Sequence, residues 1–139
     1  MGNEEAELGF SGLSLQSGVK STLASLWQVS DLASLVLMNE FYKQLRSGKT
    51  KAEALQEAQK ILLDKDRVSK SLTDVQKAIN EFLGQSRKSE QSYTLSKDTQ
   101  ARLEEIKKVL ESKEQLKMIA KRLSSPVYWS AFTIVGSPW

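Results

Sequence analysis

The sequence predicts an α/β fold with a few buried strands, two packed helices and a long helical-hairpin insertion. Two short apolar runs near the two ends of the chain have the β-branched and aromatic composition of strands. Two amphipathic segments with clear start and stop signals follow the first run. A charge-rich stretch then keeps a helical period over many turns. We expect a single domain over residues 1–139, with residues 64–125 as a helical insertion within it.

The first strand is predicted over residues 21–27, STLASLW. Both alternating faces of this run are small or apolar, which is typical of a strand buried inside a two-sided sheet. A short helix is predicted before it, over residues 7–17, although Gly9 and Gly12 weaken its helix propensity. Gly18 is a natural stop for that helix.

Two helices are predicted next, joined by a short connection. Ser30 or Asp31 is placed to cap the first helix, and Gly48 to end it. Thr50 and Glu53 form a capping box at the start of the second helix. The apolar residues that these helices should bury are Leu32, Leu35, Val36, Phe41, Tyr42, Leu45, Ala54, Leu55, Ala58, Ile61 and Leu62.

Residues 64–125 are predicted to form an antiparallel helical hairpin around a polar loop at residues 85–94. The second arm is expected to run as one helix to Leu123, a length of about 40 Å at 1.5 Å per residue. Pro126 should break this helix, and residues 131–135, AFTIV, should form a second buried strand. Trp139 is expected to pack back onto the fold. Two strands need further neighbours, so the sequence predicts part of a larger unit.

Composition limits the chemistry of the chain, because its 139 residues contain no histidine and no cysteine. Disulfides, thiolate metal sites and a structural zinc site are therefore excluded, and we expect neither a metal nor a cofactor. The start of the chain is polar and acidic, and no apolar run approaches the roughly 18 residues of a membrane span. We therefore expect a soluble, cytoplasmic protein with no membrane partner.

The net charge of +3 is unevenly distributed, since residues 64–125 contain 14 Lys or Arg and 10 Asp or Glu. Phosphate binding would require the basic side chains to converge on one stripe, and the interleaved acids would weaken their field. Nucleic-acid binding through this segment is an alternative that we do not favour over a solvated helical hairpin. The basic residues concerned are Lys107, Lys108, Lys113, Lys117, Lys121 and Arg122.

Two short motifs resemble known sites, and local structure explains both of them better. Residues 47–50, SGKT, match the end of a phosphate-binding loop, but Lys43 stands where that loop needs glycine. A helix C-cap followed by a capping box accounts for every residue of this motif. Ser17 and Lys20 match S-x-x-K, but the companion motifs of serine–lysine enzymes are missing. A hydrolase that uses Ser17 and Lys20 is the alternative that we rank lowest.

Three blocks in order carry a resemblance to a known family: residues 9–31, GFSGLSLQSGVKSTLASLWQVSD; residues 41–63, FYKQLRSGKTKAEALQEAQKILL; and residues 126–136, PVYWSAFTIVG. They resemble the C-terminal part of the CHAT family, which comprises caspase-like and separase-like peptidase domains that are often bacterial. The resemblance implies that the chain forms the C-terminal subdomain of a caspase-like sandwich. Family members usually have a short link where this chain has residues 64–125.

The family's catalytic histidine and cysteine motifs, His-Gly and a segment near Ala-Cys-Glu-Thr-Gly, have no matching position in this sequence. The resemblance therefore implies no catalytic residue and no enzyme activity for the chain on its own. Trp27 and Asp31 stand where the family shapes the pocket for the substrate side chain, and in separase-like relatives an acid here receives a basic side chain. A helix N-cap is an equally good role for Asp31.

The leading hypothesis is a non-catalytic interaction module, or the remnant half of a cysteine peptidase. Its expected partner is a separately encoded N-terminal caspase-like half, or a second copy that pairs through the exposed strand at residues 21–27. The second hypothesis is an interaction platform whose helical hairpin binds a partner helix.

Overall fold

The computed structural model describes residues 11–86 and 96–139, which are mostly helical and contain one two-stranded sheet. This composition is compatible with the predicted α/β class. Residues 11–16 are helical and are called α1. The other elements are β1 (Ser21–Ser25), α2 (Asp31–Arg46), α3 (Lys51–Leu63), α4 (Lys65–Ser86), α5 (Lys97–Leu110), α6 (Lys113–Leu123), α7 (Pro126–Trp129) and β2 (Phe132–Gly136).

The two strands form where the sequence predicts them, and they pair antiparallel with each other from Ser21↔Gly136 to Ser25↔Phe132. The prediction that both are fully buried is wrong. Every residue of β1 is only partly buried, and in β2 only Phe132 is buried. The physical reason is that the described sheet has only these two strands, so neither strand lies between two neighbours.

The predicted signals at the ends of α2 and α3 are confirmed. Ser30 is the N-cap of α2 and accepts a hydrogen bond from the backbone N–H of Ala33 at 3.2 Å. Gly48 has a φ of 89°, a left-handed conformation that favours glycine after a helix. Thr50 and Glu53 form the full capping box of α3. These signals place α2 and α3 against each other with the fully buried side chains Ala33, Val36, Leu37, Ala54, Ala58 and Leu62.

The prediction of a single long helix to Leu123 is wrong. The helix ends at Leu110, and a new helix starts after Ser112, whose hydroxyl accepts a hydrogen bond from the backbone N–H of Gln115. Both α5 and α6 pack on α4, so the described residues between 65 and 123 form three helices rather than the two arms of a hairpin. Helix α4 continues to Ser86, and the remaining residues of the predicted loop, 87–94, lie outside the described residues.

The chain returns from α6 to the sheet through the short helix α7. Pro126 interrupts the helix as predicted, but it also occupies the first turn of α7. Beyond β2, the carbonyl of Pro138 accepts a hydrogen bond from the backbone N–H of Ala52 at 3.2 Å. The expectation that Trp139 packs back onto the fold is wrong, because its side chain is 80% exposed. Only its backbone is held, through a hydrogen bond from Lys51 Nζ to its carbonyl.

The hydrophobic core lies between the helices and one face of the sheet. Helix α4 belongs to this core, since Val68 and Leu72 are fully buried within it. Within the described ranges, no helix has both the length and the apolar character that crossing a membrane requires.

Candidate functional site

The outer edge of β1 is the strongest candidate for a functional surface, and the hydrogen-bond pattern of the sheet defines it. The backbone N–H of Leu26 donates to Ala131 O at 2.7 Å, and that of Ser137 donates to Lys20 O at 2.9 Å. In an antiparallel ladder, hydrogen-bonded pairs alternate with pairs that are not hydrogen-bonded. Thr22 and Ala24 therefore direct their backbone groups toward β2.

Ser21, Leu23 and Ser25 direct their backbone groups away from β2 by the same alternation. Along residues 11–86 and 96–139, no backbone partner is found for the outward groups of Leu23 and Ser25. An edge of this kind is a template on which another extended chain can add a strand.

The outer edge of β2 differs, because a side chain of the same molecule covers part of it. Gln59 on α3 donates a hydrogen bond from Nε2 to Phe132 O at 3.1 Å and to Trp129 O at 3.0 Å. Phe132 is one of the residues of β2 whose backbone groups point away from β1. Among residues 11–86 and 96–139, the edge of β2 is therefore partly closed and the edge of β1 is open.

Packing of the strand pair on the helices fixes the position of the open edge. Leu23 and Ile134 are partners across the two strands, and both pack against the hydrophobic core. Gly136 permits the close approach of the strands, since a Cβ at this position would lie 2.6 Å from Lys20 O. The edge is therefore presented by a sheet that is anchored to α2 and α3 on one face.

Trp27 lies two residues beyond the end of β1 and is partly buried against the core. Its indole Nε1 donates a hydrogen bond to the backbone carbonyl of Val127 at 2.8 Å. The residue therefore connects the end of the strand to α7. Its role in a substrate pocket stays a prediction.

Asp31 is the first residue of α2, directly after the N-cap Ser30. Its side chain is 70% exposed, and Oδ2 lies 3.9 Å from Nη1 of Arg102 on α5. An exposed pair at this distance contributes little stability. That Asp31 receives a basic substrate side chain stays a prediction. Trp27 contacts α7, whereas Asp31 lies near α5, so the two side chains contact different elements.

An apolar groove next to Asp31 is a feature that the sequence did not reveal. One part of it, about 320 Å³, lies between α2 and α5, and a second part, about 400 Å³, lies between α2, α4 and α5. The two parts share Leu35, Met38 and Leu103, so they are continuous. The sequence contains only a weak signal for this groove, because its walls come from three helices and the sequence does not specify how those helices pair.

A polar cluster joins α2 to α4, and sequence analysis missed this cluster too. Glu40 is only 6% exposed and accepts hydrogen bonds from Ser71 Oγ at 2.6 Å and Lys43 Nζ at 2.9 Å. Lys43 Nζ also lies 2.7 Å from Asp74 Oδ2. An available signal was that Glu40 falls on the apolar stripe of α2, where an acid rarely stands without partners.

Charge–charge contacts shift the pKa values of two members of this cluster. Burial alone would lower the pKa of Lys43, but its hydrogen bonds to Asp74 and Glu40 and their negative charges raise it above the ordinary value. The hydrogen bond from Lys43 lowers the pKa of Asp74, against a smaller opposing effect of burial. Lys43 is therefore the shared cation of two carboxylates.

The motifs that sequence analysis set aside have structural explanations. Residues 47–50 combine the turn at Gly48 with the capping box of α3. Ser17 Oγ donates to the backbone carbonyl of Ser14 at 2.7 Å, as a turn hydroxyl does. The basic residues considered for phosphate binding are divided between two helices, α5 and α6. The acidic residue Glu111 lies in the connection between these helices. In the described part of the chain, no cluster of acidic side chains is arranged to hold a metal ion.

Comparison with known proteins gives one match. A family model for the CHAT domain matches residues 1–137, which includes the segment 64–125 that the resemblance did not cover. No curated protein and no solved structure matched the chain. CHAT domains are peptidase-like, and this sequence contains no cysteine. The resemblance seen in three blocks of the sequence is thus confirmed, and the chain belongs to the CHAT domain family.

Proposed function

We propose that this chain is a non-catalytic part of a caspase-like sandwich that acts as an interaction module. It docks through the outer edge of β1 onto a separately encoded polypeptide that supplies further strands of the sheet. The observation that carries the proposal is the difference between the two edges, with β2 partly closed by Gln59 and the outward groups of Leu23 and Ser25 without a backbone partner in the described chain.

Energetic reasoning supports this role for β1. Backbone N–H and C=O groups are nearly always paired in folded proteins once they leave water. An added strand would pair the outward groups of β1 and bury apolar side chains that are now only partly buried. A chain without histidine and cysteine contributes nothing to a thiolate–imidazole pair, so shape and docking are the properties that it can supply.

The experiment is affinity capture from the native cell with the full chain as bait. The expected partner contains a caspase-like segment with a motif near Ala-Cys-Glu-Thr-Gly. A bait that carries Ser25→Pro should not capture this partner. Proline at position 25 removes an N–H that points outward from the sheet, and it removes no hydrogen bond to β2. Ser25→Ala is the matched control, since it keeps the N–H and should keep the partner.

Two results would contradict the proposal. One is capture of the same partner by Ser25→Pro and the unmodified chain. The other is a monomer in sedimentation that captures no caspase-like polypeptide. The chain alone could also form a dimer that Ser25→Pro abolishes. This result would show that the edge of β1 binds a second copy of the chain, and it would contradict docking onto a separately encoded polypeptide.

A second candidate function is supported by the groove across α2, α4 and α5. In this function the groove receives an apolar ridge of a partner helix, as other helix-binding grooves do. Met38 contributes a flexible, polarisable side chain to both parts of the groove. Met38→Lys should abolish helix binding and leave strand docking intact, whereas the control Leu63→Lys, at a residue 53% exposed outside the groove, should change neither. Unchanged binding by Met38→Lys would remove this candidate.

A further inference from the structure

Both outer edges of the strand pair carry backbone groups that point away from the partner strand, so copies of this chain have a route to self-assembly. An open strand edge accepts another strand whatever the source of that strand. The outer edge of β1 in one copy can in principle pair with the outer edge of β2 in the next copy. The outward residues are Ser21, Leu23 and Ser25 in β1 and Phe132, Ile134 and Gly136 in β2.

The symmetry of the contact decides what such an assembly would become. Pairing of β1 with β1 joins the same surface of two copies, so each copy closes the edge of the other and the assembly stops at a dimer. Pairing of β1 with β2 joins two different surfaces and leaves a free edge at each end. Further copies can then add in an open series. An open series therefore requires that the edge of β2 accept a strand.

Gln59 on α3 occupies the edge of β2 at the end where this strand begins. Its Nε2 donates hydrogen bonds to Phe132 O at 3.1 Å and to Trp129 O at 3.0 Å. A primary amide nitrogen has two hydrogens, so these two bonds use both of them. A strand that paired with β2 here would need Phe132 O as an acceptor and would have to displace the side chain of Gln59.

The other end of β2 is also attached to α3. The backbone N–H of Ala52 donates to Pro138 O at 3.2 Å, and Lys51 Nζ donates to Ser137 O at 3.4 Å. These contacts hold the chain that follows β2 on the helix. In the described ranges, the outward groups at residues 134–136 have no backbone partner, but this stretch has only the shortest usual length of a strand, about three residues.

We propose that Gln59 is an edge guard that prevents copies of this chain from stacking β1 on β2. Natural proteins often cover an exposed sheet edge with a neighbouring helix, and here a side chain of α3 covers the edge of β2. The guard restricts growth of the sheet to the side of β1. The inference holds whether or not a separately encoded polypeptide docks on β1, because it concerns contacts between copies of the chain.

The test measures the size of the particles that the full chain forms, by sedimentation velocity over a series of protein concentrations. Gln59→Ala removes both hydrogen bonds and leaves Phe132 O free to accept one from an added strand. This variant should form species heavier than a dimer, and their share should grow with concentration. The unmodified chain should form none. Heavy species in the unmodified chain, or their absence from Gln59→Ala, would overturn the proposal.

Two further variants separate stacking of strands from a general effect of the substitution. Gln56→Ala makes the same change at an exposed position of α3 and should sediment like the unmodified chain. Ser25→Pro added to Gln59→Ala removes an outward N–H of β1 and should abolish the heavy species, with the helix content unchanged in circular dichroism. Heavy species in either variant would overturn the proposal, because unfolding or another surface would then cause the association.

Discussion

The helical body and the strand pair of this CHAT domain differ in how completely each buries its own side chains and pairs its own backbone N–H and C=O groups. In the helical body, α2, α3 and α4 bury side chains to zero exposure, and their termini are capped by side chains such as Ser30 and Thr50. In the strand pair, no residue of β1 is fully buried, and one edge lacks backbone partners in the described chain.

This difference indicates which part of the molecule a docking partner would complete under the proposed function. A set of helices satisfies its backbone internally, so it needs only apolar contacts between helices to be stable. A sheet satisfies its backbone between strands, and two strands alone are marginally stable at best. The helical body should therefore hold the fold, and the strand pair should be the part that a partner completes.

The largest expected effect comes from the helical body. Leu72 is fully buried on α4, so Leu72→Ala should lower the free energy of unfolding by about 2–5 kcal/mol. Leu63→Ala, at a side chain 53% exposed on α3, is the control and should stay within about 0.5 kcal/mol of the unmodified chain. Urea denaturation followed by circular dichroism measures both, and equal effects would place Leu72 outside the core.

Strand pairing should show the next largest effect, through Gly136. Gly136→Ala would place a Cβ 2.6 Å from Lys20 O in a residue with φ of 104°. Such backbone strain costs about 1–3 kcal/mol, and the clash adds to it. Gly48→Ala is the control, because φ is 89° there and no atom lies within 4 Å of the added Cβ.

Thermal denaturation of these two variants should therefore show a larger loss for Gly136→Ala than for Gly48→Ala. Equal losses would mean that the left-handed conformation alone matters and that the strands do not pack closely at Gly136.

A smaller effect is expected where the two regions meet. Trp27→Phe keeps an aromatic ring but removes the hydrogen bond from Nε1 to the carbonyl of Val127. The loss should be about 0.5–1.5 kcal/mol, the net value of one hydrogen bond. Urea denaturation measures it, and an unchanged free energy of unfolding would show that this contact does not connect β1 to α7.

The smallest effect is a dependence of stability on pH. The pKa of Asp74 is lowered in the folded state, so its pairing with Lys43 stabilises the fold above the ordinary value of 3.8 and is lost as the pH falls through the lowered value. The pKa of Lys43 is raised, so its stabilising effect is complete below 10.5 and is lost as the pH rises through the raised value. The charges of Lys77 and Lys70 lower the pKa of Asp74 further.

The free energy of unfolding should consequently be higher for the unmodified chain than for Asp74→Asn at neutral pH, and the difference should shrink below pH 3.8. Denaturation curves for the two proteins between pH 3 and 7 provide the measurement. A difference that stays constant over this range would argue against the ion pair.

Local signals in the sequence predicted the elements better than their assembly. The glycine and capping residues around α2 and α3 specify helix ends within a few residues, so these helices could be predicted. The break between α5 and α6 was also encoded, because the apolar step from Leu110 to Leu116 is six residues and Ser112 can cap a new helix. The prediction of one helix to Leu123 is wrong because it extends a continuous apolar period across this break.

Contacts between distant residues were beyond the sequence pattern. The cluster of Glu40 with Ser71 joins residues 31 positions apart, and the closure of β2 by Gln59 joins residues 73 positions apart. Neither contact has a local signal that gives its partner. In the same way, no local signal in either strand gives the register in which β1 and β2 pair with each other.

Amide hydrogen exchange in β1 tests the central claim most directly. In the chain alone, the outward N–H groups of Leu23 and Ser25 should exchange freely, while those of Thr22 and Ala24, which point toward β2, should be protected. On addition of the docking partner, the N–H groups of Leu23 and Ser25 should become protected to a similar degree. Equal protection of all four groups in the chain alone would contradict the account, because the edge of β1 would then already be closed.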